Sequence, residues 1–383
     1  MNILILTGRF GMGHYSASAA IKEEITNTMP DAEVQIVDIF DYLVPSISNL
    51  IYSGFDCLVR KNSTLYNVMC KASKNYSSAP FKRTFINKIE KLLNKTCPDI
   101  IISTIPIGSQ YISAYKEYRN IHLPLFTYIT DLFDHAEWLA KNTDVYFVGT
   151  HELKQLLVEK GISPEKIRVS GIPVKKDFKL LQHKQSNNIR KKVLIMGGGL
   201  GLISFSDDIY DALVEEPSID VTIITGKNKN LFHSLKSKYP SFNTILYTDK
   251  VYEYMQSSDI LISKAGGITV FEALYAEIPL YIINPFLLQE ISNASYIAKR
   301  QLGVVTWNNS GDAALNLIKL LKDESKLNLY KKNMKTLKSE LDSKAIIKEL
   351  NLRKDYVDES NINDICNDTC RNSLIWGTAF RLL

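Results

Sequence analysis

A glycine pair followed by a carboxylate five residues later, Gly266-Gly267 and Glu272, is the arrangement in this chain best suited to chemistry. Residues 261–274 read as an apolar strand, a sharp turn and an amphipathic helix. Backbone amides at such a turn hold phosphate, and Glu272, about one helical turn further on, is placed for a ribose diol. A second strand follows over residues 278–285, and after it Gln289, Glu290 and Asn293 form a polar cluster fit for a further ring. Phosphate, diol and sugar groups in that order suit a nucleotide-sugar. The bland alternative is an ordinary α/β turn with a solvated glutamate.

A second glycine loop, Gly8-x-x-Gly11-x-Gly13-His14, joins the first strand to the first helix. The dinucleotide fingerprint is incomplete, because Ser16 stands where the third glycine is needed, although Asp38 closes the second strand at a tempting distance. Neither glycine loop continues into Gly-Lys-Ser/Thr, so a P-loop is excluded. Gly11 and Gly13 permit a tight turn that leaves His14 near a helix N-terminus, where imidazolium is disfavoured and a neutral nitrogen can accept a proton. A hydroxyl attacking an anomeric carbon needs such a base. The competing reading of His14 is a helix cap or a binding residue. A third group, Thr130-Asp131-x-x-x-His135-x-x-Trp138, offers a carboxylate, an imidazole and an aromatic plane. With His135 and Trp138 on one face of a short helix it suits acceptor binding or orientation of the base, and Asp131 is itself a candidate base. The alternative is a cap at Asp131 with Trp138 packed.

The elements that must carry these groups alternate in βα fashion. Short, nearly continuous apolar runs at residues 2–7, 34–37, 100–102, 123–127 and 145–148 are those of a parallel sheet covered on both faces. Residues 42–95 break the rhythm and predict helices or loops over the edge of the domain. After a polar, basic stretch at residues 182–192, strands are predicted at 193–196, 221–225, 245–247, 261–263 and 279–283, with helix over 313–350. At 383 residues the chain exceeds one typical core and predicts two domains, whose facing sheets leave a cleft at their carboxyl ends.

Composition narrows the classes. The chain is 45% hydrophobic and 23% charged, which favours folding over disorder. Its start lacks a basic n-region and a small-residue cleavage site, and no apolar stretch approaches the roughly 20 residues of a membrane span. Five irregularly spaced cysteines give no secreted disulfide framework, and Cys366 and Cys370 lack the second pair or the histidine that zinc requires. The net charge of +5 is unevenly spread: between Arg60 and Lys95, nine basic residues including Lys61, Lys82 and Arg83 stand against Glu90 alone, interleaved with apolar and aromatic residues. That window fits an anionic membrane surface. No nucleic-acid module accompanies it, and a solvated face on packed helices is the plain alternative.

In order along the chain, the loop Gly11-Met12-Gly13-His14, the Thr130-Asp131 group, Ser170-Gly171-Ile172-Pro173, Met196-Gly197-Gly198-Gly199-Leu200-Gly201, Ser263-Lys264-Ala265-Gly266-Gly267-Ile268-Thr269 and Gln289-Glu290 with Asn293 form a specific set. From its first residue to about 345 the chain resembles the processive diacylglycerol glucosyltransferases and monogalactosyldiacylglycerol synthases, relatives of the peptidoglycan glycosyltransferase MurG. The resemblance implies an α/β GT-B fold of two facing Rossmann-like domains with an interdomain cleft. Residues 1–181 would bind acceptor and membrane, 182–345 the UDP-sugar, and 346–383 would be an extension of uncertain role. It further implies inversion, no cofactor, no essential metal, UDP-hexose as donor, diacylglycerol or a related lipid as acceptor, and peripheral attachment to the inner face of the cell membrane from the cytoplasm. By position Glu272 would hold the uridine ribose. Gly13, Gly198, Gly199, Gly266, Gly267 and Thr269 would lie along the donor, and Gly226 with the loop from Tyr247 to Val251 would shape the uracil pocket. Gln289, Glu290 and Asn293 would meet the sugar, His14 or Asp131 would be the base, and His135 and Trp138 would serve the acceptor. Arg60, Lys61, Lys82 and Arg83 would meet the membrane.

The sequence departs from the plant enzymes at Leu6-Thr7, where they carry an aspartate, and in having Gly-Met-Gly-His in place of an all-glycine loop. The tail beyond Leu350 has no recognised counterpart. Three other functions remain open on the residues: transfer to another small acceptor, UDP-N-acetylglucosamine 2-epimerisation, and UDP-sugar sensing without turnover.

Overall fold

The computed structural model describes residues 1–61, 64, 67, 68, 82–180, 190–203, 206–307 and 313–359. The strands are β1 Asn2–Thr7, β2 Glu33–Asp38, β3 Ile100–Ser103, β4 Leu125–Tyr128, β5 Val145–Val148, β6 Ile167–Val169, β7 Lys191–Met196, β8 Ile219–Ile224, β9 Asn243–Ile245, β10 Ile260–Ser263, β11 Leu280–Ile283 and β12 Gly303–Thr306. They form two six-stranded parallel sheets, ordered β2-β1-β3-β4-β5-β6 and β12-β11-β10-β7-β8-β9. Helices cover both faces of each sheet. β1 shows why its residues are apolar throughout: Ile3 and Ile5 face one core with Ile21 and Ile25, while Leu4 and Leu6 face another with Leu92, Ile112 and Tyr115.

Strand order reverses beside β1 in the first sheet and between β7 and β10 in the second. Ligands of open α/β sheets bind outside the carboxyl ends of strands at such points. The loops after β1, β7 and β10 are the glycine motifs, and both sheets aim them into one cleft of about 570 Å³.

The predicted strands occur, with β9 ending at Ile245, two residues before the predicted end, so that Tyr247 is left in an exposed loop. Two short edge strands, β6 and β12, were not predicted. Residues 313–350 form parts of three helices, Ala313–Lys322, Glu324–Ser339 and Ala345–Glu359. The last corrects the sequence reading of an extension from 346: Ala345, Ile346, Ile347 and Leu350 are buried in the core of the first sheet. Arg168 pairs with the buried Glu349, and Asp342 N–H donates to Val169 O at 3.0 Å. The chain therefore crosses from the second domain back to the first. Cys366, Cys370 and the rest of the tail lie outside the described residues, as do the side chains of Arg60, Lys61, Lys82 and Arg83.

Candidate active site

In the first domain the chain leaves β1 through left-handed residues at Gly11 and Met12, with φ of 61° and 68°. Helix Gly13–Thr28 begins without a side-chain cap, so its first amides open towards the cleft. His14 stands on this first turn. Its Nδ1 lies 2.9 Å from Thr130 Oγ1, and Thr104 Oγ1 donates to its carbonyl at 3.2 Å. Burial pushes the imidazole below its ordinary pKa, against the opposing charge of Asp131. If Nδ1–H donates to Thr130, the Nε2 lone pair is left to take a proton. Thr130, named in its sequence motif without a role, is thus the hydrogen-bonding partner of His14, and Asp131 acts on it through charge.

His135 also lines the cleft, but it precedes a single 3-10 turn, Ala136–Trp138, rather than sharing a helix face with Trp138. Trp138 is 1% exposed and packs with Ile129, Tyr146 and Leu153. It also lines the cleft, with its ring centroid 6.1 Å from that of His14. The aromatic plane expected for the acceptor is thus buried for most of its surface while it borders the cleft.

Asp38, the residue that made a dinucleotide tempting, is fully engaged. Its carboxylate accepts from Tyr52 Oη at 2.6 Å, Phe40 N at 3.0 Å, Asp41 N at 3.1 Å and Arg9 Nε at 3.2 Å. Around it the rings of Phe10, Phe40 and Phe55 meet at centroid distances of 4.9–5.0 Å. With Val59, Ile105 and Ile107 they make one end of the cleft apolar.

The second domain supplies the polar end. Gly198 has φ of 69°, and a Cβ on Gly226 would lie 2.6 Å from Gly199 O, so the two loops can stack only with glycine there. Helix Gly267–Ala276 starts at Gly266 with no side-chain cap, leaving first-turn amides beside Thr269. A Cβ on Gly267 would lie 2.3 Å from Thr130 O, so this glycine serves the approach of the facing domain as well as the turn. Glu272, one turn along, lines the cleft, and burial raises its pKa to about 7 despite the charge of Lys175. Tyr247 and Val251 border the same end.

Gln289 and Glu290 open helix Leu288–Lys299 on the cleft. Glu290 is 3% exposed, and its Oε1 lies 3.3 Å from Lys264 Nζ. Its Oε2 has no hydrogen-bond partner among the described residues, a buried lone pair suited to a ligand hydroxyl. Lys264, part of the glycine motif but not foreseen as a site residue, also approaches Gly198 and brings a cation beside the glycine loop. Asn293 corrects the sequence reading. It is completely buried and does not line the cleft: its Oδ1 accepts Leu132 N–H at 3.2 Å and its Nδ2 donates to Ala265 O at 2.8 Å. It ties the Asp131 loop to the glycine turn across the domains.

Residues 14–174 match the family model described as monogalactosyldiacylglycerol (MGDG) synthase, and residues 192–350 match the glycosyltransferase family 28 C-terminal domain. A processive diacylglycerol β-glucosyltransferase of Staphylococcus aureus strain MRSA252 is 30% identical over 317 residues, covering 79% of this chain and 80% of the relative. The chain belongs to this family, within glycosyltransferase family 28. A Bacillus licheniformis relative of the same description is 28% identical over 377 residues, 91% of this chain and 94% of its own. The crystal structure of Acinetobacter baumannii MurG shares the fold, with a TM-score of 0.62 at 12% identity, covering 93% of this chain and all of that one. The two family matches fall one on each sheet of this family 28 glycosyltransferase, in the GT-B arrangement. Among the described residues no helix is long and apolar enough to cross a membrane.

Proposed function

We propose that this glycosyltransferase moves a hexose from a UDP-sugar to the hydroxyl of diacylglycerol or a related lipid, with inversion at the anomeric carbon. The observation that carries the reading is a single cleft with two chemically opposed ends that meet at His14. At the polar end Glu272 would accept hydrogen bonds from the ribose hydroxyls, and the Tyr247–Val251 loop would border the base. Open amides at Gly198, Gly199, Gly267, Ile268 and Thr269, with Lys264, would receive the diphosphate. Gln289 and the unpaired Oε2 of Glu290 would meet the hexose. The apolar end formed by Phe10, Phe40, Phe55 and Val59 suits an acyl glycerol better than a polar acceptor.

In one displacement the lipid oxygen forms its bond to the anomeric carbon from the face opposite UDP. The bond to the β-phosphate oxygen breaks, UDP leaves with the electron pair, and the hydroxyl proton passes to His14 Nε2. Preorganised amides stabilise charge that develops on the leaving phosphate. Helix Ser48–Lys61 links this site to a surface: Phe55 and Val59 line the cleft while Leu50 is 72% exposed. Ile47, exposed just before the helix, and the basic residues after it support the reading of peripheral seating on an anionic membrane, at the inner face of the cell membrane.

The test is incubation of the purified chain with labelled UDP-glucose, UDP-galactose or UDP-N-acetylglucosamine and diacylglycerol in anionic vesicles, with the product's anomeric configuration read by NMR. A β-glycosyldiacylglycerol from one donor is expected. No glycolipid from any donor, or an α-linked product, would overturn the reading.

A further inference from the structure

Helix Leu288–Lys299 presents Gln289 and Glu290, yet it begins at Leu287, whose side chain cannot cap it. The first N–H groups of a helix have no intrahelical acceptor and need one from elsewhere. Asn67, on the opposite domain, provides it. Its Oδ1 accepts Leu288 N–H at 3.1 Å, and its Nδ2 donates to Phe286 O at 2.7 Å. One carboxamide thus binds the backbone on both sides of Leu287, from 221 and 219 residues away in sequence. Further along the same helix, Asn293 accepts Leu132 N–H, so the first domain holds this element at two points.

We infer that Asn67 is a positioning residue for sugar specificity: it caps the sugar-facing helix across the cleft, and Gln289 and Glu290 take their working places when the first domain is docked. The inference rests on the reading of those two residues as hexose contacts. A free helix start would fray and let both side chains wander, whereas the diphosphate and ribose groups, held on other elements, would keep their places. Loss of Asn67 should therefore blur the choice among hexoses and leave UDP affinity intact.

The experiment uses the full chain with Asn67→Ala and Asn67→Asp. The alanine loses both bonds, while the aspartate keeps an acceptor for Leu288 N–H and favours a helix N-terminus. For Asn67→Ala, the ratio of kcat/KM between the best and second-best UDP-hexose is expected to fall roughly tenfold, with UDP Kd changed by less than about twofold. Asn67→Asp should recover part of the ratio. Without any ligand, hydrogen exchange at the amides of Leu288, Gln289 and Glu290 should accelerate in the alanine variant and less in the aspartate. An unchanged ratio in Asn67→Ala, or equal losses for UDP and every UDP-hexose, would overturn the inference. If the unaltered chain turns over no donor, the transfer reading fails instead, and exchange at Leu288 still decides the cap: acceleration supports it, and no change removes it.

Discussion

The two halves of the cleft grow from sheets of similar strand order and present opposite surfaces. In the first, the loop after β1 leads through Phe10 into an aromatic wall, and the carboxylate ending β2, Asp38, is consumed by Tyr52, Arg9 and two amides. In the second, the helix after β10 has no side-chain cap, Lys264 remains at the rim and Glu290 keeps one oxygen without a partner among the described residues. The fold fixes where a ligand can lie, and side chains at the strand ends decide which part of it lies where. His14 belongs to the first half but lies at the seam, because Thr130, its partner, also presses its carbonyl against Gly267 of the second.

The largest effect should come at that seam. His14→Ala removes the proposed proton acceptor and is expected to lower kcat about 10²–10⁴-fold. UDP affinity should barely change, since the loss belongs to the transition state. Thr130→Val, which removes the Nδ1 partner, should cost roughly tenfold in kcat, as for one lost hydrogen bond. Single-turnover rates with saturating donor check both. A loss below fivefold in His14→Ala would transfer the base role to Asp131.

Glu272 probes the polar half alone. Glu272→Gln should weaken UDP-hexose binding by about tenfold to a hundredfold, the range for a charge-assisted hydrogen bond. The pKa near 7 adds a pH signature. On the proposed placement ribose hydroxyls would donate to the ionised carboxylate, so binding would release a proton and affinity should fall about tenfold from pH 8 to pH 6. The glutamine variant should lose that slope. Stability should run the other way: a carboxyl whose folded pKa is raised contributes stability below its unfolded pKa and loses it as pH rises through 7. At pH 8 the ligand-free Glu272→Gln protein should therefore gain about 1–2 kcal/mol, read as a higher Tm, and at pH 5 little. Calorimetric titration with UDP-hexose and thermal melts at each pH supply both readings. A pH-independent Kd in the unaltered protein would mean the ribose is held elsewhere.

Much of this was legible in the sequence because it is local. Strands buried on both faces must be apolar throughout, and loops that turn through positive φ or stack backbone on backbone must use glycine, as at Gly198 and Gly226. What escaped depends on distant partners. β6 is Ile-Arg-Val and β12 is Gly-Val-Val-Thr, so neither edge strand reads as the continuous apolar run that marks the others. Asn293 looks like a polar contact for a sugar until Leu132, 161 residues away, takes its oxygen. Trp138 resembles a stacking platform until Tyr146 and Leu153 enclose it. The helix Ala345–Glu359 follows the second domain in sequence, and only its packing on β1, β3 and β4 shows which domain it completes.

The smallest effect probes the apolar half. Phe55 is half-buried, edge-on to Phe10 at 4.9 Å, and faces the cleft from the helix that also exposes Leu50. Phe55→Ala removes part of one wall, a loss of about 1 kcal/mol of apolar contact for a bound chain. KM for diacylglycerol should rise about fivefold, the factor that energy implies, while UDP Kd stays constant. The dependence of rate on acyl length should flatten as well, because the missing ring takes with it the surface that longer chains would cover. Initial rates against a series of diacylglycerols, beside UDP titration, test the prediction. Equal weakening of lipid and UDP would mean that the aromatic wall supports the first domain's loops rather than an acyl chain, and the division of the cleft into two chemical halves would fall with it.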